Sequence, residues 1–188
     1  MTPSVTRLVS QIYDAAPKPI RYFSIANFMR NEKPQRGRNR EFWQLNVDIF
    51  GSKSQSSELE MLQMALDIVL AFNPPKYSFI LCLNHRQLIE GLMGMISPDP
   101  TMKQGIVRLM DKWQKMSWVD FSSALKELGV DASGLETIQS FLSASSIKEL
   151  VQALPELADN EGLLEIKNVM SDLEALGYGE YLEFKPSI

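Results

Sequence analysis

The chain has 188 residues, 45% of them hydrophobic, with a formal net charge of −4. That composition can bury one core, with room for an inserted subdomain. One cysteine and one histidine exclude an internal disulfide and the usual zinc ligand sets. The acidity argues against a broad nucleic-acid surface. No apolar run approaches the roughly 20 residues of a membrane span and no secretory signal is present, so a cytoplasmic protein is expected.

The first residues read as a helix. Thr2 can cap it, Pro3 suits its first turn, and Val5, Leu8, Val9 and Ile12 make an apolar stripe. An apolar-rich strand follows from residue 20, carrying Tyr22 and Phe23. Pro34 and Gly37 punctuate a loop, and a second strand runs over residues 41–50. The two strands make a hairpin.

The second strand is the more informative. Side chains alternate between its faces, so Trp43, Leu45, Val47 and Ile49 share one face while Phe42, Gln44, Asn46, Asp48 and Phe50 share the other. Three polar groups in a row need water or a ligand, because a buried unpaired group costs about 1–3 kcal/mol. The loop beside them holds Arg36, Arg38 and Arg40, with Arg30 just before it. Guanidinium groups suit phosphate through paired hydrogen bonds. The pattern fits an anion site beside a polar-floored sheet, and equally a solvated hairpin with one polar face.

Residues 56–72 form a strong helical pattern, with Ser56 or Ser57 as cap, Glu58 and Glu60 in the first turn, and Asn73-Pro74-Pro75 as the stop. A short buried strand is expected over 77–83. Cys82 within it reads as a structural thiol, and His85 as the start of the next helix rather than a catalytic group. Ser97-Pro98-Asp99-Pro100 marks a boundary. Beyond it come amphipathic helices over 103–115, 118–128, 135–142, 147–154 and 162–176, then a last strand over 180–184. The four strands are expected to form one twisted, mainly antiparallel sheet with helices on one side. The fold class is α+β.

The run from Arg30 through Asn31, Glu32, Lys33, Pro34, Gln35, Arg36, Gly37, Arg38, Asn39, Arg40, Glu41, Phe42 and Trp43 to Gln44 resembles motif 2 of class II aminoacyl-tRNA synthetases, in the version found in the histidyl-tRNA synthetase family. Phe79 to Arg86, Asp111 to Lys115 and Glu161-Gly162-Leu163 also resemble family segments. The resemblance implies a synthetase-like mainly antiparallel sheet with flanking helices and a helical insertion. It divides the chain into a partial catalytic core over 1–97, a helical insertion over 98–176, and a return strand over 177–188. Family segments with no counterpart in these residues are motif 1, the Arg-Pro-Glu before Thr2, the histidine signature, motif 3 and the anticodon-binding domain. The expectation is therefore a central piece of a catalytic domain.

The resemblance also implies roles. The family activates histidine with ATP to histidyl-adenylate, with Mg²⁺ expected, and transfers the histidyl group to the acceptor end of tRNA(His). Arg30 would grip the α-phosphate and the substrate carboxylate as the catalytic arginine. Glu32 would hold the adenine amino group, Phe42 would stack on adenine, and Arg38 would reach the γ-phosphate. Arg40 and Gln35 would order the loop. Gln44 and Asp48 would lie on the histidine side, and Thr2 would contact the substrate's amino end. The family's homodimer-forming segment has no counterpart here, and this chain alone is expected to be inactive or weak. Two other readings stand beside this one. The first is the non-catalytic, synthetase-like regulatory subunit of ATP phosphoribosyltransferase in histidine biosynthesis, which tends to lose the motif 2 arginines and glutamate present here. The second is an interaction module whose basic loop only attracts nucleic acid.

Overall fold

In the computed structural model the chain folds as two units that divide at Leu62 and Gln63. Residues 1–31, 33 and 35–187 are described. The first unit opens with α1 (Thr2–Ile12), whose N-cap is Met1. Thr2 thus sits in the first turn beside Pro3 and does not cap the helix. Strands β1 (Ile20–Met29) and β2 (Glu41–Phe50) pair antiparallel along their whole length, Ile20 opposite Phe50 and Met29 opposite Glu41. Helix α2 (Gln55–Leu70) follows and runs through the division. Among the described residues, Val9 and Ile20 are the buried apolar side chains of this unit.

The second unit holds a short strand, six helices and a final strand: β3 (Leu81–Leu83), α3 (Arg86–Ile96), α4 (Pro100–Met110), α5 (Trp118–Glu127), α6 (Ala132–Ser143), α7 (Ile147–Ala153), α8 (Glu161–Ala175) and β4 (Leu182–Phe184). Each helix starts where a side chain accepts a hydrogen bond from the otherwise unpaired N–H groups of the first turn. The caps are His85, Asp99, Ser117, Asp131, Ser146 and Asn160. Asp99 and Asp131 explain why α4 and α6 begin three residues earlier than their apolar periodicity suggests. Leu88, Leu92, Ile106, Phe121, Leu125, Ile138, Phe141 and Leu150 are wholly buried in one continuous core. Trp113 packs edge-on against Trp118 at 5.8 Å and lies 5.3 Å from Phe121. Gly162 lets α8 start hard against α3: a β-carbon there would lie 2.5 Å from His85 Nδ1 and 3.0 Å from Gln87 Cβ.

The α+β class holds. The single four-stranded sheet does not. Hairpin β1–β2 is one two-stranded sheet, and β3 pairs parallel with β4 in another. About a hundred residues of helix join β3 to β4, and a crossover of that length allows parallel pairing. Both strands are also shorter than expected. Tyr77 takes a left-handed φ of 63° next to a turn in which Ser78 N–H donates to the Pro75 carbonyl, so the strand begins only at Leu81. Residues Gly179–Tyr181 form a turn of 3₁₀ helix before β4. No helix among the described residues is long and apolar enough to cross a membrane.

Candidate functional site

Residues directly opposed in an antiparallel pair share a face. One face of the hairpin therefore carries Phe28 beside Phe42, Ala26 beside Gln44, Ser24 beside Asn46 and Tyr22 beside Asp48, in that order away from the loop. At about 3.4 Å per residue, Phe42 to Asp48 spans roughly 20 Å. The strip is aromatic at the loop end and polar beyond it.

At the loop end the Phe28 and Phe42 rings lie 6.0 Å apart, inclined by 26°. The Arg30 guanidinium sits 4.9 Å over the Phe42 ring, a contact in which the ring's negative face attracts the cation. The Arg30 N–H donates to the Arg40 carbonyl at 2.8 Å, which carries the ladder one step past the strands. The loop closes through a turn in which Arg38 N–H donates to the Gln35 carbonyl at 2.9 Å. Gly37, its third residue, has a φ of 80°, as a type II turn requires.

Of the residues singled out from the sequence, Arg30, Phe42, Gln44 and Asp48 come together on this one face. Arg38 lies at the exposed tip of the hairpin. Thr2 is exposed in the first turn of α1 and makes no hydrogen bond to Gln44 or Asp48 among the described residues. Glu32 lies outside the described residues. His85 caps α3: its Nδ1 accepts from Gln87 N–H at 3.1 Å, and its Nε2 lies 3.0 Å from the Glu165 carboxylate. Both ring nitrogens are engaged in these contacts, which fits the helix-start role read from the sequence.

The middle of the strip shows what the sequence reading missed. Gln44 Nε2 donates to Asn46 Oδ1 at 2.6 Å, yet the Asn46 amide nitrogen and the Ser24 hydroxyl, a directly opposed pair, are both shut off from solvent without a hydrogen-bond partner. Leaving two such groups unpaired is costly, and groups of this kind are what a polar ligand satisfies. Asn46 was visible as one of three polar residues in a row. Ser24, Phe28 and Tyr22 were not, because they belong to the partner strand. The signal that finds them is the register: counting outward from the loop places Ser24 opposite Asn46.

A basic hairpin loop, an aromatic end and a polar strip, on an α+β scaffold rich in helices, fit the synthetase-like catalytic core that the motif 2 resemblance implies. Residues 1–182 match the family model described as histidyl-tRNA synthetase, and the chain belongs to that family. It is 37% identical over 190 residues to a histidine–tRNA ligase of Leptospira biflexa, covering all of this chain and 43% of that protein. A histidine–tRNA ligase of Pyrococcus furiosus is 34% identical over 156 residues, covering 83% of this chain and 35% of that protein. The chain thus spans well under half the length of these relatives. The fold is also that of a histidyl-tRNA synthetase crystal structure from Nostoc sp. PCC 7120, with a TM-score of 0.82 at 18% identity over 98% of this chain and 44% of that one. A structure described as an ATP phosphoribosyltransferase regulatory subunit/histidyl-tRNA synthetase from Bacillus halodurans C shares the fold with a TM-score of 0.78 at 21% identity, over all of this chain and 48% of that one.

Proposed function

We propose that the hairpin face is the ATP and histidine site of a histidine–tRNA ligase. The reaction joins the histidine carboxylate to the α-phosphorus of ATP and breaks the bond to pyrophosphate. The histidyl group then passes to the acceptor end of tRNA(His), with AMP as the leaving group. In this reading residues 1–97 belong to the catalytic core, 98–176 to a helical insertion, and 177–188 to the strand returning to the core. The homodimer of the family and a cytoplasmic location belong to the same proposal. The relatives named histidine–tRNA ligase, together with the retained Arg30, Glu32 and Arg38, favour it over the regulatory-subunit reading.

The single observation that carries it is Arg30 over the ring of Phe42, at the head of a strip holding two unsatisfied buried polar groups. With nucleotide present, adenine takes the ring face and the guanidinium turns to the α-phosphate, exchanging a cation–π contact for a charge-assisted one. There it faces the negative charge that grows at phosphorus in the transition state. Glu32 takes the adenine amino group and Arg38 the γ-phosphate. The strip beyond Phe42 leaves Gln44 and Asp48 for histidine, Asp48 as the carboxylate partner of a cationic substrate group, and Thr2 for its amino end. Among the described residues no group of three His, Cys, Asp or Glu side chains is placed to hold a metal ion. An Mg²⁺ accompanying ATP would be held by the nucleotide's own phosphates and would offset their charge.

Calorimetry with ATP and adenosine tests these roles on the purified chain. Phe42→Ala should weaken both ligands by about 1–3 kcal/mol, the scale of base–aromatic stacking. Arg30→Ala should weaken ATP more than adenosine, because only ATP presents an anion. Equal losses for the two ligands would sink the phosphate assignment. In ATP–pyrophosphate exchange the 188-residue chain is expected to be inactive or weak.

A further inference from the structure

A cleft lies wholly within the helical unit. It encloses about 1010 Å³ and opens at the carboxyl end of β3, between α3 and α4. Two helical stripes build its walls. Arg86, Ile89, Glu90 and Met93 follow the i, i+3, i+4, i+7 pattern of one face of α3, and Lys103, Gln104, Val107 and Arg108 form two adjacent i, i+4 rows on α4. Cys82 and Leu83 of β3 close the inner end. The carboxyl end of a parallel strand, where the chain turns into a helix, is a recurrent place for ligands in α/β sheets.

The charges around this cleft are uneven. Arg86 Nε is held by Glu90 at 2.9 Å, so that pair is neutral. His85 at the rim is engaged by Gln87 and Glu165. Lys103 and Arg108 have no ion-pair partner among the described residues, and they leave the cleft with a net charge of about +2 in a chain of net charge −4. Apart from the His85 imidazole at the rim and the Cys82 thiol, the apolar lining is aliphatic and thioether, with no Phe, Tyr or Trp among the lining residues. The volume is at the upper end of small-molecule pockets. The geometry points to a binding site for a small organic anion: an apolar body lying against Ile89, Met93 and Val107, its carboxylate, sulfonate or phosphate between Lys103 and Arg108.

Cys82 is the chain's one cysteine, half-buried and at the inner wall, and it serves as a reporter of occupancy. The probe is naphthalene-1-sulfonate, titrated into the native chain by calorimetry while Cys82 is labelled with the neutral disulfide 4,4′-dithiodipyridine. In the labelling step the thiolate forms a mixed disulfide and releases one thiopyridine per chain. The expected result is saturable binding that slows labelling, with both effects reduced about tenfold or more in Lys103→Gln/Arg108→Gln, the fold-change of losing a charge-assisted contact. Neutral naphthalene-1-methanol and inorganic sulfate should each bind at least about tenfold more weakly, lacking the charge or the apolar body. Circular dichroism of the double variant should match the native chain, since neither side chain belongs to the buried core. Binding unchanged in the double variant, or equal affinity for naphthalene-1-methanol, overturns the assignment. If Cys82 does not react in the native chain, the calorimetric comparison alone decides it.

Discussion

The two units of this chain handle their apolar residues in opposite ways. In the helical unit Phe121, Leu125, Ile138, Phe141 and Leu150 are wholly buried. In the hairpin the apolar face is the open one: Phe23 is 73% exposed, Ile25 63%, Met29 81% and Trp43 72%. The face with Gln44, Asn46 and Asp48 is the half-covered one. A soluble antiparallel ribbon normally shows water its polar side. The helical unit supplies its own core. The hairpin instead displays an apolar surface while its polar strip, with two unsatisfied groups, turns inward as a ligand site does.

The largest expected effect probes the helical side of that contrast. Phe141→Ala removes a fully buried ring from the common core and should cost about 3–5 kcal/mol by urea unfolding. The matched change on the hairpin, Trp43→Thr, should move stability by no more than about 0.5 kcal/mol, since the side chain is largely in water already. A large loss at Trp43 would mean that its face is covered in solution and would break the comparison.

A smaller effect concerns association. A contiguous exposed apolar face, on a two-stranded sheet whose outer edges are unpaired among the described residues, invites contact between chains. Sedimentation of the native chain should show mass rising with concentration, and Phe23→Ser/Trp43→Thr should shift that rise to higher concentration. Clean monomeric behaviour of the native chain across the range would count against it.

How legible each region was follows from the same contrast. The helices of the second unit were readable from their periodicity; Ser117 and Asn160 mark starts in step with it, while the caps Asp99 and Asp131 set starts three residues ahead of it. The hairpin's strand parity was equally readable, and it placed Phe42, Gln44 and Asp48 on one side. Which side would be covered was not, since alternation fixes which residues share a face and says nothing of what lies against it. Ser24 escaped because a site floor spans two strands and its other half depends on register. The pairing of β3 with β4 escaped because three-residue strands about a hundred residues apart carry no pattern that names a partner.

The smallest effect tests what ties the hairpin to its own unit. Arg21 stands on the open apolar face, opposite Ile49, and donates two hydrogen bonds to Glu60 of α2, at 2.6 Å from Nε and 2.8 Å from Nη2. The apolar residues of β2 at this end, Val47 and Ile49, are half-buried while Trp43 at the loop end is bare, so the pair marks where α2 reaches the sheet. The Arg21 hydrogen bond, helped by its charge and opposed by desolvation, holds the Glu60 carboxyl below its ordinary range. A carboxyl depressed by folding contributes stability that is fully present above its unfolded pKa of about 4.3 and is lost as pH falls through its folded value. Arg21 stays charged throughout, its own pKa being raised by the same partner. Both side chains are about half exposed, so the contribution is small and sensitive to salt. Urea unfolding of the native chain and Glu60→Gln should therefore show a slight native advantage at pH 7 in low salt. That advantage should close as pH falls below about 4, and it should close at neutral pH in 1 M salt. A difference that persists in acid would mean Glu60 acts through packing, and that α2 holds the sheet without the ion pair.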